Sequence, residues 1–221
     1  MDNRSDEKAN RLLEGAYALK TPVDNIIYYR DFASHYDTSF ADALGYIYPS
    51  VIAKAFVTAL ASDGFPGGRV LDVGCGTGLV AAEMRDAGFG GAIDGVDLSA
   101  EMLRQAETKG LYQNLHEADL TGDLAHLPHN YSALVSAGTF THGHLGPDPL
   151  VSLIALCQSG ARAVIGINAA HYDAMGFAPV LDGLVTSKIV RDLRMREVKI
   201  YDGTDPLHAD DVAFVLEFCI T

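Results

Sequence analysis

The chain has 221 residues, 48% of them hydrophobic, which is enough to bury the core of one ordinary to large domain. No apolar run reaches the roughly 18 residues a membrane helix needs, and the polar start MDNRSDEKANRLLEG lacks the apolar core of a secretory signal. With 29 acidic against 16 basic residues the formal charge is −13, a field that repels phosphate backbones, so neither nucleic acid nor a membrane is an expected partner.

Three cysteines, Cys75, Cys157 and Cys219, are far apart, odd in number and without metal-ligand spacing. That usage points to free thiols in a reducing, cytoplasmic compartment and to no metal site. Residues 1–24 read as a flexible acidic segment. A single domain is expected over residues 25–221, opening with helical cap elements over residues 25–63. There NIIYYRDFASHYD places aromatics at helical spacing, and YIYPSVIAKAFVTALASDG carries a long apolar stripe ending near Gly64. GFPGG then breaks the chain before a first strand at Arg69–Val73.

From there strands and helices alternate. A helix is expected at about Gly78–Ala87, ending at Gly88, and a strand at Ala92–Asp97. The next helix, Ala100–Thr108, has Ser99 as its N-cap and closes at Gly110. Short strands follow at Leu115–Ala118 and Ala133–Ser136, then a helix over DPLVSLIALCQ and a buried strand at Ala161–Asn168. YDAMGFAPVLDGLVTSKIV is amphipathic, with Pro179 the expected break. The basic stretch KIVRDLRMREVK, from Lys188, is interrupted by Asp192 and Glu197 and reads as a solvated helix end or strand face. Two last strands are expected near Val198–Tyr201 and Val212–Ile220. The pattern predicts an α/β, Rossmann-like, doubly wound and mostly parallel seven-stranded sheet. The last two strands, with no helical stretch between them, predict an antiparallel C-terminal hairpin strand.

In open α/β sheets ligands bind where strands end and helices begin. Here the first strand runs into RVLDVGCGTGLVAAEM, with glycines at Gly74, Gly76 and Gly78. A missing Cβ permits a tight turn and a close approach of ligand to backbone. Two cofactor classes compete for such a loop. A dinucleotide wants G-x-G-x-x-G, whose last position would be Leu79 or, in the other register, a tolerated Ala81. A phosphate P-loop fails, since no Gly-Lys-Ser or Gly-Lys-Thr follows. Asp72 precedes the loop, where a carboxylate opposes a pyrophosphate but suits an ammonium group. Asp97 ends the second strand, placed to accept ribose hydroxyls, and Asp119 in HEADL is placed to meet an adenine edge. Three acids around one cleft suit a positively charged nucleoside, S-adenosylmethionine, better than a dinucleotide.

VLDVGCGTG resembles the first motif of class I S-adenosylmethionine-dependent methyltransferases, and GVDLSAEML and HEADL resemble the second and third. Within that superfamily, YYRDFASHYD with GTGLVAAEMRDAGF and GVDLSAEMLRQAETKGLYQNL is most similar to the methyltransferase-like family named for the Williams–Beuren deletion region. The resemblance implies that Gly74, Cys75, Gly76, Thr77 and Gly78 wrap the methionine part, with Asp72 near its amino group. It implies that Asp97 holds the ribose, that Leu98 and Met102 flank the adenine, and that Ala118, Asp119 and Leu120 meet its rim. Ser136, Ala137 and Gly138 would border the sulfonium, and Tyr29 and Tyr36 would cover the carboxylate or methyl end. The bland readings stand beside these: Cys75 as a small loop residue, Leu98 and Met102 as core, Tyr29 and Tyr36 as helix packing.

Methyl transfer asks the protein mainly for alignment and exclusion of water, with a base only when the nucleophile arrives protonated. After the fourth strand the chain reads SAGTFTHGHLGPDP, without the Asn/Asp-Pro-Pro-aromatic motif of enzymes acting on adenine or glutamine amide nitrogens. His142 in that loop is the candidate general base, with His144 beside it. Asn168, His171 and Tyr172 in INAAHYD form a second place for substrate contacts. The expected activity is methyl transfer from S-adenosylmethionine, giving S-adenosylhomocysteine, to a small-molecule acceptor. Alternatives are a non-catalytic module binding the same ligands, an NAD(P)-dependent oxidoreductase and an aminopropyltransferase.

Overall fold

A strand of four residues, VLDV, starts the sheet of this protein, and all four, the aspartate included, are buried. The computed structural model describes residues 15, 24, 27, 28, 33, 36, 37, 44–62, 65, 67–203 and 208–221. Its seven strands are β1 (Val70–Val73), β2 (Ile93–Asp97), β3 (Asn114–Glu117), β4 (Tyr131–Phe140), β5 (Cys157–Asn168), β6 (Val190–Lys199) and β7 (Val212–Ile220). The helices whose bounds lie within the described residues are α1 (Tyr48–Ser62), α2 (Leu79–Asp86), α3 (Ala100–Thr108), α4 (Pro149–Ala155), α5 (Ala169–Met175) and α6 (Phe177–Thr186).

The strands form one sheet in the order β3-β2-β1-β4-β5-β7-β6. The first five positions are parallel, and β7 runs antiparallel to both β5 and β6. The order reverses at β1, which has β2 on one side and β4 on the other. A crevice opens beyond the carboxyl ends of strands at such a reversal.

Both faces of the sheet are covered, and the period-two alternation divides the core accordingly. Val70, Ala133, Val135, Val164 and Val215 face the layer made by α1 and α2, with Ile52, Phe56 and Met84. Leu71, Leu134, Ile165 and Leu216 face the other layer, with Leu153, Phe177 and Leu181 from α4 and α6. The first layer approaches so closely that a Cβ on Gly166 of β5 would lie 2.0 Å from the Tyr48 hydroxyl. That contact is why β5 carries a glycine in its interior.

The mixed sheet, the hairpin and α3 with its Ser99 cap agree with the sequence reading; Ser99 Oγ accepts from the Met102 N–H at 3.3 Å. Two details differ. The helical stretch after β5 breaks at Gly176, not at Pro179, because Gly176 takes a left-handed conformation (φ 70°). Pro179 falls in the first turn of α6, where its missing N–H costs nothing. Strand β6 starts at Val190, well before the expected Val198. It lies at the sheet edge with most side chains exposed, so its basic and acidic residues are a solvated strand face.

The acidic segment 1–24 and the cap residues before α1 fall mostly outside the described residues, as does Tyr29. Among the described residues no helix is long and apolar enough to cross a membrane. Cys75, Cys157 and Cys219 are all free thiols.

Candidate active site

The three loop glycines all have positive φ, at 64°, 53° and 89° for Gly74, Gly76 and Gly78, the left-handed region that favours residues without a Cβ. Their surroundings give each a different second reason. A Cβ on Gly74 would lie 2.1 Å from Thr139 Oγ1, and one on Gly78 would lie 3.0 Å from the Tyr112 ring. Among the described residues, a Cβ on Gly76 would meet nothing within 4 Å. Gly76 therefore faces open space, and that space is the cleft beyond β1, β2 and β4.

The cleft is lined by Gly74, Cys75, Gly76 and Thr77 from the loop, by Asp97 and Leu98 at the end of β2, and by Ser99 and Met102 at the start of α3. Asp119, Leu120 and Thr121 supply one rim, and Ala137, Gly138 and Thr139 of β4 supply the other. The β4–β5 register shifts between Ser136 and Phe140, so this part of β4 leaves the regular ladder just where it borders the cleft. Tyr36, Tyr46 and Pro49 close one side, and Gly143, His144 and Leu145 another. Among the described residues, no lysine or arginine lines it.

Asp97 is the best-held polar group in the lining. Its Oδ2 accepts from the Gly76 N–H and its Oδ1 from the Ser99 N–H, both at 2.9 Å. Burial raises its pKa, while the N–H groups of Ser99, Gly76 and Leu98 pull it down. The same bonds lock the glycine loop to the end of β2, leaving further carboxylate lone pairs for a ligand hydroxyl. Asp119 is exposed, and its Oδ1 accepts from the Thr121 N–H at 2.9 Å and the Thr121 hydroxyl at 2.7 Å.

Asp72 lies behind the loop rather than in the lining, fully buried. Its Oδ2 accepts from the Tyr112 hydroxyl at 2.7 Å, and its Oδ1 has no hydrogen-bond partner among the described residues. Burial pushes its carboxyl up to about 7, opposed by the Tyr112 bond and helped by the nearby Asp97. The Cys75 thiol is also raised, by burial and by Asp97 and Asp72, which keeps it protonated and unreactive.

Of the other expected site residues, Tyr36, Met102, Ala137 and Gly138 reach the cleft, while Gly78, Ala118 and Ser136 stand behind it. Ser136 Oγ and Thr139 Oγ1 both donate to the Val73 carbonyl, at 2.8 and 2.9 Å, tying β4 to the end of β1. His142 is outside the lining, and its ring lies 5.4 Å from that of His171. The histidine that does line the cleft is His144, whose Nδ1 is 2.9 Å from the His142 carbonyl. A carbonyl only accepts, so Nδ1 carries the proton and Nε2 the lone pair. Burial, with help from His171, lowers the His144 pKa against the opposing carbonyl bond, so the ring is neutral. His171 Nε2 in turn donates to the Leu145 carbonyl at 2.9 Å, which fixes the loop that carries His144.

The sequence reading placed Tyr46 among the cap aromatics over the cleft and missed Thr139, Asp37 and Tyr112. Tyr46 reaches over Gly138, whose Cβ would be 3.0 Å from its hydroxyl, and its ring packs 5.6 Å from that of Tyr201. Its position after the helical aromatic run was the one available signal. Tyr112 had none, because its role depends on folding back beneath the loop.

Residues 70–162 match the family described as a methyltransferase domain. A Homo sapiens relative, methyltransferase-like protein 27, is 34% identical over 60% of this chain and 54% of its own length. A Xanthomonas campestris protein named ubiquinone biosynthesis O-methyltransferase is 34% identical over 42% of this chain and 38% of its own length. The chain thus spans about half, or less, of the curated relatives it matches. Among solved structures, the magnesium protoporphyrin IX methyltransferase of Synechocystis PCC 6803 superposes with a TM-score of 0.61 at 16% identity, covering 92% of this chain and 99% of that one. That likeness is one of fold. The loop, the acid at the end of β2 and the strand order thus accompany a match to a methyltransferase domain over residues 70–162.

Proposed function

We propose that this chain is a cytoplasmic enzyme that moves a methyl group from S-adenosylmethionine to a small-molecule acceptor. The observation that carries the reading is the joint lining of one cleft by the open Gly76 loop and Asp97. Two features fit the cofactor. The space in front of Gly76 accepts a ligand against bare backbone, and the partnerless Asp72 oxygen wants a donor, which an ammonium group supplies.

When bound, S-adenosylmethionine supplies a methyl carbon activated by its sulfonium. The chain's own residues do the rest. Asp97 accepts the ribose hydroxyls, Leu98 and Met102 offer apolar walls to the adenine, and Asp119 and Leu120 meet its edge. Tyr36, Tyr46 and Thr139 crowd the opposite end and exclude water. Neutral His144 holds its lone pair on Nε2 and takes the proton of a hydroxyl or amine acceptor, the role the sequence reading gave to His142. A lining without a described cation favours a neutral acceptor over an anionic one, and the O-methyltransferase relative supports oxygen as the accepting atom.

The test is calorimetric titration with S-adenosylmethionine and S-adenosylhomocysteine on the wild type and on Asp97→Ala, followed by turnover with a panel of small phenols and amines. Binding of both nucleosides, lost in the variant, with methyl transfer to a panel member, is the expected result. Binding without turnover on any acceptor would favour a non-catalytic module, and no binding by folded protein would overturn the reading.

A further inference from the structure

We propose that Tyr112 is the positioning residue that aims the Asp72 carboxyl at the ammonium end of the cofactor. This rests on the cofactor reading above and names a residue outside the three methyltransferase motifs.

Tyr112 belongs to the segment between α3 and β3, yet its ring reaches under the glycine loop. Two backbone positions are emptied around it. A Cβ on Gly78 would come within 3.0 Å of its Cε2, and one on Gly95 within 3.0 Å of its Cε1. Gly95 sits inside β2, where a glycine weakens the strand and needs a packing reason. Cys75 Sγ and Leu115 Cδ2, each 2.8 Å from the same Cβ position, supply that reason together with the Tyr112 ring.

The ring so wedged presents its hydroxyl to one oxygen of Asp72 at 2.7 Å. Holding Oδ2 fixes the plane of the carboxyl and with it the direction of Oδ1, the oxygen without a partner. The phenol keeps its proton, because burial and the nearby Asp72, Cys75 and Asp97 all raise its pKa. It is therefore a permanent donor, and it favours the ionised carboxyl that an ammonium group needs. The titratable groups facing Asp72 are Tyr112, Asp97 and the Cys75 thiol; of these only Tyr112 holds its charge, by a hydrogen bond. Without that bond, Asp72 would sit buried with no donor and would keep its proton to higher pH.

The experiment uses two probes, S-adenosylhomocysteine and 5′-deoxy-5′-methylthioadenosine, which lacks the amino-acid end. Each is titrated calorimetrically between about pH 5.5 and 8 into the wild type, Tyr112→Phe, Asp72→Asn and the double variant. For S-adenosylhomocysteine, wild-type affinity should rise as Asp72 ionises. Tyr112→Phe should bind about tenfold more weakly near neutrality, with its rise displaced to higher pH. Asp72→Asn should be weaker with that rise removed, and the double variant no weaker than Asp72→Asn, since Tyr112 acts through Asp72. Methylthioadenosine should bind all four proteins alike, which also reports an intact cleft. Unchanged S-adenosylhomocysteine binding in Tyr112→Phe, additive losses in the double variant, or a parallel loss of methylthioadenosine binding would each overturn the proposal. If neither nucleoside binds the wild type, the cofactor reading itself fails and this proposal falls with it.

Discussion

The Thr77 hydroxyl donates to Asp37 Oδ1 at 2.6 Å, joining the glycine loop to a residue 40 positions earlier in the chain. The other Asp37 oxygen accepts from Lys109 Nζ at 2.6 Å, at the C-terminal end of α3. One carboxylate thus ties together the loop, the end of α3 and the segment that brings Tyr36 to the cleft. We expect Asp37→Ala to weaken S-adenosylhomocysteine binding by about three- to tenfold, the range of one partly exposed charge-assisted network. The loss should shrink at high salt, because screening already weakens the Lys109 pair. Calorimetry at low and high ionic strength checks both points, and an unchanged affinity would mean the clasp plays no part in closing the cleft.

Asp72 makes stability depend on pH in an unusual direction. Its carboxyl is raised to about 7 in the folded protein, so the fold keeps a proton that the unfolded chain releases from about pH 4 upward. Its contribution to stability therefore falls as pH rises through that window. Asp72→Asn removes the titration, and Asp97 is common to both proteins. The variant should match the wild type near pH 4 and exceed it at pH 8 by on the order of 2–4 kcal/mol. Urea unfolding at several pH values measures this. Parallel profiles would mean the folded carboxyl ionises in the ordinary range.

At the opposite end of the sheet, Asp94 is fully buried and accepts from Arg69 at 2.9 Å, Asn114 at 2.9 Å and Tyr131 at 3.1 Å. This carboxylate joins the starts of β1, β2, β3 and β4. Asp94→Ala strands a tyrosine hydroxyl, an amide and a guanidinium together, and should cost about 3–5 kcal/mol. A loss below about 1 kcal/mol in urea unfolding would show that water replaces the carboxylate.

The close approach of Tyr48 to Gly166 yields an opposed pair of expectations. The Tyr48 hydroxyl is buried without a hydrogen-bond partner among the described residues. Tyr48→Phe should therefore leave stability unchanged or raise it by up to about 1 kcal/mol. Gly166→Ala forces a methyl into that hydroxyl and should destabilise by about 1–3 kcal/mol. Combining the two should recover part of the loss, because Phe removes the nearest atom. Thermal melts of the three variants provide the comparison, and strict additivity would count against the contact.

The parts of the fold legible in sequence were those where local pattern and tertiary role agree. Val70, Leu71 and Val73 are apolar because both faces of their strand are covered, and Ser99 precedes α3 because its hydroxyl is needed there as a cap. The three glycines and Asp97 were legible for the same reason, since a left-handed turn held by a carboxylate imposes composition locally. Strand β6 was not, because an edge strand with most side chains in water needs no apolar alternation. The choice of Gly176 over Pro179 depended on helix phase, which composition does not convey. His144, unlike His142, reaches the cleft, a difference in direction between loop neighbours that composition does not convey. Tyr112 and Asp37 act across the fold, so nothing within a window around either betrays them.

Among the described residues, strand β6 joins the sheet only through β7, which pairs with β5 from Arg162↔Cys219 to Asn168↔Ala213. An earlier segment of the chain therefore waits for a later one before it can join. The two strands dock as one cooperative unit, closing contacts over long sequence separations, which slows folding relative to the local βα units. They also leave as one. Hydrogen exchange should find the amides shared by β6 and β7 opening together with those between β7 and β5, at a lower free energy than the central β1–β4 ladder.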